Sequence, residues 1–189
     1  LESVLAGQLA YAELAAPRLK MESLNSVVQE SLRGAAEALT RRRVRLVKKL
    51  TPDLPTLLLD AARIRRVVSN IVACALEAVP MGGRVRIETR RAGANVVLDV
   101  VHDRTQKAGD ALEQLFAPFG AASASGVALG LSVAQQIVRE HGGEIRVRSE
   151  DEWSSVFSVT LPVLDNQDRR RARDRRGARS ERRRQEPDA

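Results

Sequence analysis

The pattern of hydrophobic and polar positions is clearest between residues 61 and 79. Aliphatic side chains recur there at three- and four-residue steps, which is the period of an α-helix with one apolar face. Asp60 precedes the segment as a candidate N-cap, and Pro80 follows it as a helix terminator. The spacing therefore predicts a helix with Asn70 and Cys74 on its polar side and an apolar face made of Ile64, Val67, Val68, Ile71, Val72, Ala75, Leu76 and Val79.

Other segments show the same helical spacing more weakly. Helices are predicted over 1–16 and 24–39, with Pro17 as the break between them. A further helix over 129–141 ends at Gly142-Gly143, and a short one is expected at 110–115. The two prolines within 51–60 favour a loop there.

Alternating apolar and polar residues predict five strands. The run at 41–50 is expected at or near the edge of a sheet, and 84–90 and 95–101 flank Ala92-Gly93 as a hairpin. The last two strands are 144–149 and 155–163. This order predicts an α/β fold of the α+β two-layer kind, with a mixed, mostly antiparallel sheet packed against helices.

Composition limits the class of protein. Hydrophobic residues make up 43% and aromatic residues 3% of the 189, so the chain is typical of a soluble domain with an aliphatic core. No apolar run approaches the roughly 18–20 residues of a membrane-spanning helix. A single cysteine is consistent with a reducing cytoplasm. Because the chain begins at Leu1 within a predicted helix, we expect it to be part of something longer.

Most of the excess positive charge lies at the C-terminal end. The net charge is +7, and residues 165–189 contain ten arginines and six acidic residues. With almost no large apolar side chains, this tail is predicted to be disordered. Contact with a polyanion, such as nucleic acid, an acidic protein or an anionic membrane, is the alternative, although the tail has no aromatic residue to stack on bases.

Several segments together resemble a known family. They are LTPDLPTLLLDAARIRRVVSNIVACALEAVPMGGRVRIET, LEQLFAPF, LGLSVAQQIVREHGGEIRVRSE and FSVTLP, in that order. They are similar to the catalytic and ATP-binding domain of bacterial sensor histidine kinases, over about 21–163. The resemblance implies a Bergerat-type fold, in which a mixed sheet packs against three helices and ATP with Mg²⁺ binds between the helices and a lid. It also implies that the end of a dimerisation helix with its linker (1–39) precedes the ATPase domain (40–164), and the tail predicted from composition (165–189) follows.

The first motif of the family has two asparagines four residues apart on the long helix. Asn70 occupies the first position, which implies a catalytic and magnesium-binding role for it. Cys74 occupies the second, where the asparagine carbonyl of the family binds Mg²⁺, and a thiol is a poor ligand for that cation. Besides a remaining nucleotide contact, Cys74 has two other interpretations, a small residue on the helix surface or a reactive thiol.

The second motif of the family is Asp-Asn-Gly-x-Gly at a strand end. In an ungapped alignment His102 and Asp103 replace the acid and the amide, and Arg104 and Gln106 replace the glycines. A neutral imidazole can accept a hydrogen bond from the adenine amine. A shift of one residue would instead put Asp103 at the adenine, and His102 can also be a partly buried residue with no ligand.

The third motif is a glycine-rich run before the last helix. Here it is GVALGL, which keeps Gly126 and Gly130 and has Ala128 in place of the middle glycine. The backbone amides around Leu129–Leu131 are expected to bind phosphates. His141, at the end of that helix, is expected to be a structural cap residue.

The resemblance implies ATP-dependent phosphorylation of an upstream histidine in a homodimer, followed by transfer to a response regulator. The replaced residues predict weakened nucleotide binding. A pseudokinase that acts as an interaction module remains the alternative, and a serine kinase of the anti-sigma type is a further one.

Overall fold

A computed structural model describes residues 17–104, 127–151 and 154–163, with only the backbone described at 127–129. The predicted helices at 1–16 and 110–115 and the C-terminal tail lie outside these residues. The helices are α1 (Leu24–Gly34), α2 (Ala36–Arg41), α3 (Ala61–Ala78) and α4 (Val127–Glu140). The strands are β1 (Lys20–Glu22), β2 (Arg45–Leu50), β3 (Leu57–Leu59), β4 (Arg84–Ala92), β5 (Asn95–Asp103), β6 (Glu144–Asp151) and β7 (Ser154–Pro162).

Five strands form the main sheet in the order β2-β4-β5-β7-β6. The β2–β4 pair is parallel, whereas the other three pairs are antiparallel. The predicted α/β class, the mostly antiparallel sheet and the edge position of β2 are therefore confirmed. The segment 51–60 was predicted to be a loop, but it contains β3, which pairs with β1 in a separate two-stranded sheet.

The core lies between one face of the main sheet and the helices. Since successive strand residues point to opposite faces, every second residue of β5 and of its partners faces inward. These inward residues are buried and belong to one cluster with the apolar faces of α1, α3 and α4: Val85, Ile87, Val96, Leu98, Val100, Phe157, Val159 and Leu161.

Two local predictions need correction. The helix predicted over 24–39 is interrupted at Ala35, which is the C-cap of α1. Its N–H donates hydrogen bonds to the carbonyl oxygens of Ser31 and Leu32. The hairpin turn is Gly93-Ala94 rather than Ala92-Gly93, because Gly93 is the residue with a positive φ of 60°.

The ends of the long helices are set by local chemistry. Asp60 caps α3 by accepting a hydrogen bond from the N–H of Arg63, as predicted. α4 begins at Val127, two residues earlier than predicted, and ends before Gly142, which has a φ of 73°. No helix in the described ranges is both long and apolar enough to cross a membrane.

Candidate functional site

The candidate site is organised by a contact between α3 and α4. Asn70 is half-buried on α3, and its side-chain Nδ2 donates a hydrogen bond to the carbonyl oxygen of Gly130 on α4, at 2.7 Å. A Cβ at Gly130 would lie 3.3 Å from Cγ of Asn70, so glycine permits this close approach. The structure thus brings together two residues from separate predicted motifs, sixty positions apart.

This contact decides which end of the Asn70 amide is available. A backbone carbonyl only accepts hydrogen bonds, so the amide must direct its N–H₂ at Gly130. Its Oδ1 then has no hydrogen bond from any residue that the structure describes. An amide oxygen is a ligand suited to Mg²⁺, and Asn70 can therefore fill the metal-binding role implied by the resemblance.

Cys74 is not on the polar side of α3, and that prediction was wrong. It is 7% exposed and belongs to the hydrophobic core. The reason lies in helix geometry: Cys74 follows the fully buried Val67 by seven residues, so the two side chains differ by only about 20° around the helix axis. Cys74 lies at the border between the apolar and polar faces of α3, and the sequence pattern placed it on the polar face.

Burial also determines the chemistry of Cys74. Removal from water, with a smaller contribution from the charge of Glu77, raises the pKa of the thiol to about 12. The group therefore stays protonated at neutral pH. A protonated thiol is neither a ligand for a hard cation nor a reactive nucleophile.

His102 lies at the end of β5 and faces the helices. It is 3% exposed, and its ring stacks on Phe157 with centroids 5.8 Å apart. Burial lowers its pKa, so the ring is neutral at neutral pH. Its Nδ1 lies 3.0 Å from the carbonyl oxygen of Asp103 and must be the protonated nitrogen, which leaves Nε2 as an acceptor.

Ser155 is a site residue that sequence reasoning missed. It pairs with His102 across β5 and β7, and its hydroxyl is buried with no hydrogen-bond partner in the described ranges. A buried hydroxyl without a partner is unusual, because desolvation costs free energy that a hydrogen bond normally offsets. No pattern in the sequence indicates Ser155, because only the register between β5 and β7 places it beside His102.

Asp103 does not join this group. It follows His102 on the strand and so points to the opposite face of the sheet, where its carboxylate accepts a hydrogen bond from the N–H of Arg84 at 2.8 Å. This position does not favour the alternative alignment, which would place Asp103 at the adenine.

The glycine-rich motif is only partly described. Gly126 lies outside the described residues, and only the backbone is described at Ala128 and Leu129. Because α4 begins at Val127, the amides without an intrahelical partner are in the turn before Leu131. Leu131 lies beyond that turn, so its N–H is not among these amides, and the phosphate-binding role predicted for the backbone falls to the residues before it.

Comparison with known proteins places these features in context. A family model described as histidine kinase-, DNA gyrase B-, and HSP90-like ATPase matches residues 59–165. Sensor histidine kinase ZraS of Salmonella typhimurium is 31% identical over 150 residues, which cover 79% of this chain and 32% of that protein. The chain thus spans about a third of this curated relative.

Solved structures show the same fold. The histidine kinase ThkA in complex with the response regulator protein TrrA has a TM-score of 0.73 at 22% identity, and the match covers 86% of this chain and 47% of the ThkA chain. Full-length ShkA in complex with AMPPNP also has a TM-score of 0.73, at 21% identity, over 85% of this chain and 35% of that one.

Proposed function

The chain belongs to the histidine kinase-, DNA gyrase B-, and HSP90-like ATPase family, and from this premise we propose that it is the ATP-binding module of a two-component sensor histidine kinase with weakened affinity for nucleotide. The contact between Asn70 and Gly130 carries the proposal. It joins the helix that holds the candidate metal ligand to the helix whose first turn has amides available for phosphates. Both elements of a nucleotide site are thereby held by one hydrogen bond.

The base-binding end of the site is assigned to His102 and Ser155. The unprotonated Nε2 of His102 can accept one hydrogen bond from the amine of adenine, and the Ser155 hydroxyl has no partner among the described residues. Both groups are buried, where a hydrogen bond to a ligand contributes more than it would in water.

Bound Mg-ATP would supply a transferable γ-phosphoryl group and a cation that neutralises its charge. Asn70 would hold the cation through Oδ1, while its Nδ2 keeps α4 in place. Cys74 does not fit this role, because its protonated thiol replaces the amide oxygen that the family has there. The lost contact between an amide oxygen and the cation would contribute about 1–3 kcal/mol to the free energy of binding, and every 1.4 kcal/mol changes the affinity about tenfold. We therefore expect a dissociation constant on the order of 0.1–1 mM.

The remaining parts of the proposal concern the whole protein. ThkA forms a complex with a response regulator, and we propose a response regulator as the partner that receives the phosphoryl group here too. The dimerisation helix and linker would occupy 1–39, the ATPase domain 40–164, and an Arg-rich tail able to bind polyanions 165–189. Dimerisation through upstream helices and a cytoplasmic location complete the proposal.

A pseudokinase is the second candidate, and the state of Cys74 favours it. With one metal position lost, the fold would serve as an interaction or dimerisation module without phosphoryl transfer. Saturable binding of Mg-ATP below about 10 µM would contradict this alternative. Absence of binding at several millimolar Mg-ATP would contradict the kinase.

The test is calorimetric titration of the full chain with Mg-ATP, using two variants of α3. Asn70→Ala removes both the metal ligand and the hydrogen bond to Gly130, and we expect binding to weaken by about tenfold or more. Ser69→Ala is the matched control, since Ser69 is exposed on the same helix. Equal affinities of the two variants for Mg-ATP would show that Asn70 does not take part in nucleotide binding.

A further inference from the structure

A second concave surface lies away from the nucleotide site, between α1, α2 and the edge strand β2. It encloses about 660 Å³. Its floor is apolar, because Leu32, Leu39 and Val44 are buried beneath it. We call this surface the basic groove, and its lining consists of Gln29, Leu32, Arg33, Ala36, Leu39, Thr40, Arg43, Val44, Leu46 and Lys48.

The charges of the basic groove have one sign. Arg33, Arg43 and Lys48 are exposed, and none of the described residues that line the groove is acidic. None of the three cations forms an ion pair with any residue in the described part of the chain. Two other nearby cations do form ion pairs, Lys49 with Glu88 and Arg41 with Glu37. The groove therefore keeps three uncompensated positive charges above an apolar floor.

The backbone of β2 adds a second feature. Within the described sheet, β2 pairs with β4 alone and its other edge is open. The N–H groups of Arg45 and Thr51 donate to carbonyl oxygens of Gly83 and Thr89, on the β4 side. Since strand N–H groups alternate in direction, those of Leu46 and Lys48 point away from β4, at the open edge.

We propose that the basic groove is a docking site for an extended, acidic peptide segment of a partner protein, which adds as a strand along β2. Alternate apolar side chains of the segment would cover the floor, and its carboxylates would lie beside Arg33, Arg43 and Lys48. When a peptide adds as a strand, hydrogen bonds to the main-chain groups of β2 provide affinity, and the apolar floor and the charges of the groove provide specificity. The site is separate from the nucleotide site and stands whether or not the chain binds ATP.

Two other occupants fit the groove less well. The tail at 165–189 carries ten arginines, so its charge has the same sign as the groove. A single-stranded nucleic acid would need aromatic residues for stacking, and the lining contains none. An apolar floor is better matched by aliphatic side chains than by phosphates and sugars.

The probe for the test is a fluorescently labelled octapeptide that alternates valine and glutamate, titrated into the full chain. A peptide in which lysine replaces each glutamate is the matched control. We expect saturable binding of the acidic peptide alone, and in ¹⁵N-resolved spectra the amide signals of Leu46 and Lys48 should move most. Absence of binding, or equal binding of both peptides, would overturn the proposal.

Charge reversal locates the site. Arg33→Glu and Lys48→Glu should each weaken binding of the acidic peptide by about tenfold, whereas Arg91→Glu, on an exposed position of the β4–β5 hairpin, should leave it unchanged. Thermal unfolding confirms that each variant is folded.

Three outcomes would contradict the proposal. Equal losses of peptide binding in all three variants would indicate nonspecific attraction, and an octathymidylate that binds as tightly as the peptide would indicate a polyanion site. Binding that appears only after removal of residues 1–16 would show that this chain itself fills the groove.

Discussion

The imidazole Nε2 of His141 accepts a hydrogen bond from the backbone N–H of Asp60, at 3.0 Å. Its Nδ1 donates to the carbonyl oxygen of Ile137, at 2.7 Å, so the neutral ring satisfies both groups. Asp60 in turn caps α3 and accepts a hydrogen bond from the N–H of Arg18, at 2.8 Å. The predicted structural role of His141 is confirmed, and the ring joins the end of α4 to the start of α3.

This junction makes stability depend on pH. Burial lowers the pKa of His141 below its ordinary 6.5, while in the unfolded chain the ring keeps that value. Below about pH 6.5 the ring therefore binds a proton in the unfolded state but not in the folded state. The free energy of unfolding consequently decreases as the pH is lowered. Burial raises the pKa of Asp60, but the N–H groups of Arg18 and Arg63 outweigh it and bring the value below 3.8, so Asp60 stays ionised throughout this window.

Urea unfolding of His141→Gln at pH 7.5 and 5.5 tests the junction. At pH 7.5 the variant should be less stable by about 1–3 kcal/mol, because buried groups lose their partner. Its further loss on going to pH 5.5 should be smaller than in the unmodified chain. His102→Gln is the comparison, since burial lowers the pKa of His102 as well. A pH dependence unchanged in His141→Gln would contradict the assignment.

Gly143 provides a prediction about packing. A Cβ there would lie 2.2 Å from the carbonyl oxygen of Thr160, so Gly143→Ala requires the backbone to move. We expect a loss of about 2 kcal/mol or more in the free energy of unfolding. Gly34→Ala is the control, because nothing lies within 4 Å of its Cβ, and alanine in a helix is preferred by about 0.5–1 kcal/mol. Similar losses in both variants would contradict the steric account.

The sequence predicted those parts of the fold in which periodicity is local. The apolar face of α3, its cap at Asp60 and the alternation of β4 depend on neighbouring residues, and all three are confirmed. The alternation expected for β5 is not, because β5 is a central strand that is buried on both faces. The strand β3 was missed because it consists of three residues and exists only through its pairing with β1. Short strands depend on a distant partner, which a pattern of neighbours does not contain.

The candidate site was less predictable for the same reason. The resemblance supplied Asn70 and Gly130, but neither residue indicates that the amide of one binds the carbonyl of the other. Ser155 became visible only through the register between β5 and β7. Cys74 was assigned to the wrong side because a border position on a helix is decided by what packs against it.

The thiol of Cys74 should be inert in the folded protein. With a pKa of about 12, only about one thiol in ten thousand is ionised at pH 8, and burial further restricts access. We expect reaction with dithionitrobenzoate to be slow in the folded chain and fast in urea. As Cys74 is the sole cysteine, the reaction reports this position alone. Rapid stoichiometric modification of the folded chain would contradict its burial.

Cys74→Asn tests whether the replaced metal position weakens nucleotide binding. Residue 74 lies at the border of the apolar face, only about 40° around the helix from Asn70. An asparagine there would carry the amide oxygen that the family has towards the cation, so Mg-ATP should bind about tenfold more tightly than in the unmodified chain. The gain should disappear in EDTA, because the added oxygen acts through the cation. Cys74→Ala is the matched control, since it removes the thiol without supplying an oxygen.

Stability gives an independent reading of the same variant. A buried amide without a partner costs about 1–3 kcal/mol, so Cys74→Asn should melt earlier than the unmodified chain in the absence of nucleotide. Because a ligand stabilises the state that binds it, saturating Mg-ATP should recover more of this loss in Cys74→Asn than in Cys74→Ala. Equal recovery in the two variants, or tightening that persists in EDTA, would mean that residue 74 does not reach the cation. The low affinity would then have to come from His102 or the glycine-rich motif.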